Sequence, residues 1–370
     1  MRVREGRPGA IALVFGTRPE IIKLAPVIMK LRERRAATLT VHTGQHYTWN
    51  MDRLFFDQLR IPEPDVRLDV GSGSHGLQTS KLLSRVEDSL ESHRPRLVLV
   101  QGDTNSALAG ALAAAKLGIP VAHVEAGMRT FDRRMPEEIN RVVADHLASL
   151  LFAPTRTAVE NLVREGIGRR RIHLTGNTSA DALSENLGRV DQLAALARFG
   201  LQRDGYIIMT LHRQENVDSE RSLRAVLRGV GMVARRSRLP VLWPIHPRTV
   251  KMLKRFRLRP PPGVRTVPPI GYFEFLALEK NARLVLTDSG GIQEEACILG
   301  VPCVTIWESE TCWIETVRVG ANRRVAPQAD AILAGASGMM RSDRAWANPY
   351  GRGGASARIV RTLLREAGRE

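Results

Sequence analysis

The chain has 370 residues, 43% hydrophobic and 25% charged, enough for two domains of middling size that each bury a core. No apolar run approaches the roughly 18–20 residues that span a bilayer, and aromatics at 5% leave little for a base-stacking surface. The net charge of +17 favours anionic partners, but its arginines come in short scattered groups (Arg32, Arg34 and Arg35; Arg169 to Arg171; Arg235 and Arg236), as on solvated helix faces. Neither nucleic acid nor a membrane is therefore expected as a partner.

The basic, Gly/Pro-bearing residues 1–10 lead straight into a short apolar run without a small-residue cleavage site, the pattern expected of a cytoplasmic protein. Residues 10–15 read as a buried strand, followed by an amphipathic helix with Ile21, Leu24, Ile28 and Leu31 at helical spacing. Residues 39–42, 97–100 and 121–124 read as further strands, and the Ala/Leu-rich stretch 106–117 as a buried helix between the last two. A second series of strands follows at 206–210, 241–243, 284–287 and 303–306. Between the two series, residues 184–205 are helical in pattern and hold the expected linker. A Gly-rich break at 351–354 precedes a final helix at 355–367.

Strands alternating with helices predict an α/β chain of parallel sheets. We expect two Rossmann-like domains facing across a cleft, residues 1–184 and 185–350, with the C-terminal segment 355–370 completing the first. The three cysteines, Cys297, Cys303 and Cys312, lack Cys-x-x-Cys spacing and a partnering histidine cluster. Plain thiols are expected, and no metal site.

In such sheets ligands bind beyond the carboxyl ends of the strands. The residues standing there are Gly16-Thr17-Arg18-Pro19-Glu20, Thr43-Gly44-Gln45-His46, Gln101-Gly102-Asp103-Thr104 and Glu125-Ala126-Gly127-Met128-Arg129, then His212-Arg213, His246-Pro247-Arg248 and Asp288-Ser289-Gly290-Gly291. Nearly all are charged or hydrogen-bonding. Asp288 to Glu295 predicts a strand end, two glycines and a helix N-terminus, an anion site for a phosphate or diphosphate. Glu294 and Glu295 are placed in the first helical turn, either as helix caps or as acceptors for ribose hydroxyls. The first half offers Arg18, Glu20, Lys23, Asp103, Glu125, Glu137, Glu138 and Arg141, carboxylates flanked by arginine that suit acid/base work. Glu137, Glu138 and Arg141 also fit an ordinary helix start with an ion pair after Pro136. His212 and His246 each precede a basic residue and suit phosphate contact, whereas His42, His46 and His123 suit backbone bonds at strand ends.

These motifs, with Pro136-Glu137-Glu138-Ile139-Asn140-Arg141, Thr175-Gly176-Asn177 and Leu211-His212-Arg213-Gln214-Glu215-Asn216, are co-linear over roughly residues 11–320. In that order they resemble the non-hydrolysing UDP-N-acetylglucosamine 2-epimerase family. The resemblance implies a GT-B-like fold, a UDP-sugar partner, no cofactor and a homodimer. It also implies interconversion of UDP-GlcNAc and UDP-ManNAc through loss of UDP and a 2-acetamidoglucal. Carried over by position, it implies acid/base roles for Asp103, Glu125 and Glu137, supported by Arg141, and a site role for His212. It places Arg18, Phe275, Ser289, Gly290, Gly291 and Glu295 at the nucleotide, with Lys23 and His246 in the cleft.

Two departures stand out. Many members carry Glu-Arg-Pro-Glu where this chain has Thr311-Cys312-Trp313-Ile314-Glu315, so the arginine is lost and Trp313 is expected in its place. Tyr47-Thr48-Trp49-Asn50-Met51 stands where the bacterial family forms its regulatory pocket. A hydrolysing epimerase, an epimerase of a 2,3-diacetamido uronate and a GT-B glycosyltransferase are the competing enzyme readings, and a nucleic-acid-binding protein the one outside enzymology.

Overall fold

The structure, a computed structural model, describes residues 9–44, 55–307 and 311–368. The Tyr47–Met51 segment, with Gln45 and His46, lies outside the described residues. The chain divides into two compact units, one formed by Met1–Ala182 with Tyr350–Glu370, the other by Leu183–Pro349.

The first unit holds parallel strands β1 (Ile11–Phe15), β2 (Thr38–His42), β3 (Val66–Arg67), β4 (Leu97–Gln101), β5 (Val121–Val124), β6 (Leu150–Ala153) and β7 (Ile172–Leu174). Their order is β3-β2-β1-β4-β5-β6-β7. The helices that bear on the site are α1 (Arg18–Glu33), α2 (His75–His93), α3 (Asn105–Lys116) and α4 (Pro136–Leu147). The second unit holds β8 (Ile207–Met209), β9 (Val241–Pro244), β10 (Val264–Val267), β11 (Leu284–Thr287), β12 (Cys303–Ile306) and β13 (Asn322–Val325). These are ordered β10-β9-β8-β11-β12-β13, with α5 (Glu220–Ser237), α6 (Pro247–Arg255), α7 (Tyr272–Lys280) and α8 (Gly290–Leu299) among the helices. The last helix, α9 (Ala355–Ala367), belongs to the first unit and packs on α1.

Both units are α/β and Rossmann-like, because each sheet runs third strand, second, first, fourth, fifth, sixth. The central strands are apolar on both faces, as parallel strands covered by helices on each side must be. β1 and β4, for example, are buried throughout. Helix α1 turns Ile21, Leu24, Val27, Ile28 and Leu31 inward, each burial stabilising by roughly 1.5–3 kcal/mol.

The sequence reading misses β3, β6, β7, β10 and β13. Four of these, β3, β7, β10 and β13, are the edge strands of the two sheets. β10 reads Val-Arg-Thr-Val and β13 Asn-Arg-Arg-Val, half-exposed sequences without a buried strand's apolar run. β6 escapes because the apolar stretch around Leu147 and Ala148 joins it to the end of α4. The stretch 184–205 contains the end of helix Thr178–Leu187 and all of helix Gln192–Phe199. Cys297 and Cys303 are buried and Cys312 half-buried; burial pushes the Cys297 thiol up to about 12, which leaves little nucleophilic thiolate at neutral pH.

Candidate active site

In each sheet the winding direction reverses between the first and fourth strands, β1 and β4 in one unit, β8 and β11 in the other. The loops leaving such a pair diverge and open a crevice at the carboxyl edge. In the first unit those loops carry Arg18 and Asp103, and in the second His212 and Asp288.

Glu20 latches the first crevice. Its Oε2 accepts from Gly16 N (3.0 Å), Thr17 N (2.8 Å) and Thr17 Oγ1 (2.8 Å), and its Oε1 from Thr104 Oγ1 (2.8 Å). One carboxyl thus ties the β1 loop to the β4 loop. Burial pushes Glu20 up to about 7, against the pull of those hydrogen bonds. Expected from the sequence as an acid/base candidate, Glu20 is instead enclosed on every side and holds Arg18 and Asp103 in their loops. Arg18 is half-buried at the head of α1, its guanidinium 5.1 Å from the Phe55 ring.

Asp103 and Glu125 stand on neighbouring strand ends, the Glu125 Oε2 only 3.6 Å from where a Cβ on Gly102 would lie. The Asp103 side chain is 33% exposed and pairs with Arg141 Nη2. Arg141 Nη1 donates to Glu138 Oε2 (2.9 Å), and Asn140 Nδ2 to the Asp103 carbonyl (2.9 Å). Glu125 accepts from Lys23 Nζ (2.6 Å), Gln101 Nε2 (2.6 Å) and Asn177 Nδ2 (3.1 Å). Lys23 is thereby committed to Glu125. The Glu125 backbone is left-handed at φ 67°, a strained state for a residue with a Cβ. Glu137, at the first turn of α4, is exposed.

A buried chain of charges supports these loops. His123 Nδ1 bonds Asp145 Oδ1 (2.7 Å) and its Nε2 bonds the Gly102 carbonyl (2.8 Å). Asp145 Oδ2 accepts from Gly127 N (3.0 Å) and pairs with Arg129 (2.7 Å), which reaches Glu165 (2.7 Å). Burial pulls the His123 pKa down, but the charge and hydrogen bond of Asp145 overcome it and hold His123 above its ordinary value. With a carbonyl on one ring nitrogen and a carboxylate on the other, both nitrogens are donors. Gly127 is required where it stands: its φ is +82° and a Cβ would meet the Ala158 carbonyl at 2.2 Å.

In the second unit Asp288 organises the crevice. It is fully buried and accepts from His212 N (3.0 Å), Arg213 N (2.8 Å) and His212 Nδ1 (3.0 Å). Burial pushes its pKa up, yet the His212 hydrogen bond and charge, with the backbone N–H groups, hold it below the usual carboxylate range. The bond at Nδ1 leaves Nε2 of the half-exposed His212 ring for a ligand. His246 lies with its ring centroid 5.6 Å from that of His212 and caps α6 by accepting from Arg248 N (3.2 Å). Burial, then the charges of His212 and Arg248, lower its pKa, so the ring is neutral and an acceptor.

Ser289 is the N-cap residue of α8, with Gly290 and Gly291 opening the helix. A Cβ at Gly290 would sit 3.2 Å from Trp313 Nε1, whereas one at Gly291 would meet open space. Trp313 thus lies directly beside the helix terminus. The residues just upstream of it, 308–310, lie outside the described ones. Phe275 on α7 is half-buried against the unit's core.

The structure corrects one placement. α8 begins at Gly290 and has no acidic residue in its first turn, so Glu294 and Glu295 lie in the second and cannot cap. Glu294 is fully buried. Beside Glu295 lies Glu279, whose carboxyl is held well above the usual range by burial, then by the charge and hydrogen bond of Glu295. Sequence reasoning missed both Glu279 and Asp145. The signal for Asp145 was present: Glu138, Arg141 and Asp145 recur at i, i+3 and i+7, and they form the buried face of α4, where apolar residues are the rule. Among the described residues no group of three His, Cys, Asp or Glu side chains is arranged to hold a metal ion, and no helix is long and apolar enough to cross a membrane.

The family model described as UDP-N-acetylglucosamine 2-epimerase matches residues 29–364. The chain belongs to the UDP-N-acetylglucosamine 2-epimerase family. A family member from Methanocaldococcus jannaschii, UDP-N-acetylglucosamine 2-epimerase, is 47% identical over 95% of this chain and 98% of its own. A crystal structure of the epimerase from that organism in complex with UDP-GlcNAc and UDP superposes with a TM-score of 0.89 at 48% identity, covering 96% of this chain and 99% of that one. The UDP-2,3-diacetamido-2,3-dideoxy-D-glucuronate 2-epimerase of Pseudomonas aeruginosa is 41% identical over 96% of this chain and 99% of its own. The two Rossmann-like units are those of this family's GT-B-like fold.

Proposed function

We propose that the protein interconverts UDP-GlcNAc and UDP-ManNAc, without a redox cofactor, by eliminating and re-adding UDP. The observation that carries this reading is the pair of carboxylates, Asp103 and Glu125, on adjacent strand ends of one crevice with Arg141 tethered to Asp103. The Methanocaldococcus jannaschii UDP-N-acetylglucosamine 2-epimerase, 47% identical to this chain, supports the substrate.

The second unit takes the nucleotide. The N–H groups of Gly290 and Gly291 at the head of α8 and the Ser289 hydroxyl receive the diphosphate, with His212 Nε2 and His246 beside it. Phe275 packs against the uracil and Glu295 accepts the ribose hydroxyls. Arg18 adds positive charge. The C2 hydrogen of the sugar is not acidic by itself. As the C1–O bond to UDP lengthens, its electron pair leaves with the clamped diphosphate and the ring becomes cationic, which acidifies C2. A carboxylate then takes the C2 proton and the C–H pair forms the C1–C2 double bond of 2-acetamidoglucal. Reprotonation at C2 from the other face and return of UDP to C1 give the epimer.

Asp103 and Glu137, the more open carboxylates, exchange the proton. Glu125, held by Lys23, Gln101 and Asn177, fixes the charge beneath the ring. The first unit, Met1–Ala182 with Tyr350–Glu370, thus supplies proton chemistry and the second, Leu183–Pro349, the nucleotide site. Family resemblance further supports a homodimer working in the cytoplasm.

Proton NMR of UDP-GlcNAc with the purified protein in D₂O, without added cofactor, tests the reading. UDP-ManNAc carrying deuterium at C2 is the expected product. Accumulation of free ManNAc and UDP would mean hydrolysis instead. No exchange with UDP-GlcNAc, but exchange with a UDP-2,3-diacetamido uronate, would replace the substrate.

A further inference from the structure

The connection from β5 to α4 begins at Glu125 and ends at Met135, with Phe131 near its middle. The Phe131 backbone is left-handed, φ 60°. Among the described residues the other non-glycine positions with positive φ are Arg, Asp or Glu, so Phe131 is the one apolar side chain held that way. A bulky residue there is disfavoured, and glycine or asparagine would suit the turn better. Packing does not explain the choice, because the Phe131 side chain is among the most exposed large apolar groups of the chain, at 62%.

What holds the strain is explicit. Glu138, itself buried, accepts from Phe131 N (2.9 Å) through Oε1, and from Thr130 N (2.9 Å) and Thr130 Oγ1 (3.1 Å) through Oε2. Arg141 grips the same Oε2 and, with its other nitrogen, Asp103. One guanidinium therefore joins the clamp under Phe131 to a proposed proton-transfer group. Strain kept in place by several buried hydrogen bonds points to a requirement outside folding, and here that requirement is an aromatic ring standing free in solvent.

We propose that Phe131 is a sugar-recognition residue: its ring offers an apolar surface to the N-acetylhexosamine, its acetamido methyl and ring C–H groups, and so seats C2 over the carboxylates. The proposal rests on the function put forward above. An aromatic face with a few fixed polar groups is the usual make-up of a small-molecule site, and the partners named for Asp103 and Glu125 are polar.

Three variants test this: Phe131→Gly, Phe131→Asn and Phe131→Trp. Gly and Asn accept the backbone while removing the ring, so both are expected to keep a Tm within a few degrees of wild type. They are expected to lower kcat/KM for UDP-GlcNAc about 10–100-fold, mainly through KM, and to leave UDP affinity by calorimetry within twofold. Phe131→Trp is expected to restore kcat/KM to within about threefold of wild type. The proposal is overturned by a kcat/KM within twofold of wild type in Phe131→Gly, by an equal weakening of UDP itself, or by a change in oligomeric mass. The wild type is measured first. Should it turn over only another UDP-amino sugar, the assigned substrate fails, and the same ratios read with that sugar still uphold or overturn the role of Phe131.

Discussion

At Glu20 two opposing effects meet in one side chain. Burial favours the neutral acid, while the N–H and O–H groups around it favour the anion, and burial wins, with the group at about 7 against an ordinary 4.5. Below pH 4.5 the folded and unfolded chains are both protonated there. As pH rises, the unfolded chain releases its proton first, so stability falls through this window and levels off above pH 7. The full difference is about 3 kcal/mol. Glu20→Gln, whose amide can accept from Gly16 and Thr17 and donate to Thr104, is expected to flatten the dependence of Tm on pH between 4.5 and 8. An unchanged slope would assign it to another group. The sequence marks Glu20 as a strand-end acid, but its enclosure depends on Thr104, a residue 84 positions away.

At the scale of elements, Asp288 is the first residue after β11 and yet acts on the end of β8. It fixes two backbone N–H groups and the tautomer of His212. Asp288→Asn keeps the volume but replaces a charged acceptor by a neutral one. Loss of its charge-assisted bonds is expected to destabilise the protein by about 1.5–3 kcal/mol, read by urea unfolding, and to weaken UDP binding at least tenfold by calorimetry. Because the native carboxyl lies below its usual range, this contribution is present at neutral pH and lost as pH falls through the depressed value. Unchanged UDP affinity would show that His212 needs no such support. Helix α4 gives the parallel case. Its start after Pro136 was legible, but its buried face is polar, and the reason lies in the partners Asp103, His123 and Arg129, which come from other elements.

For the molecule as a whole, the net charge of +17 suits a polyanionic ligand and raises its encounter rate at low salt. With UDP proposed to bind the second unit, at 100 times its Kd it is expected to stabilise the native protein by about 2.7 kcal/mol. Amide exchange should slow first at the ends of β8 and β11, and after β4 and β5 only when the nucleotide carries its sugar. Protection by UDP confined to the first unit would reverse the division of labour.

Strands β1, β2, β4, β5, β8, β9, β11 and β12, the amphipathic helix after β1 and the motifs that end those strands were set by sequence alone, because buried parallel strands need unbroken apolar runs and amphipathic helices need a 3.6-residue period. That local signal placed Asp103, Glu125, His212 and Ser289 at strand ends before any coordinates. Tertiary structure decided which of those polar groups face a ligand and which are consumed internally. Glu20 and Lys23 are drawn into hydrogen bonds with Thr104 and Glu125 from distant elements, Glu138 is spent on the loop before its own helix, Asp145 and Glu279 are buried where the pattern suggests apolar neighbours, and Phe131 is turned outward. A side chain's burial and its partners are set by long-range contacts, and a one-dimensional pattern carries no record of them.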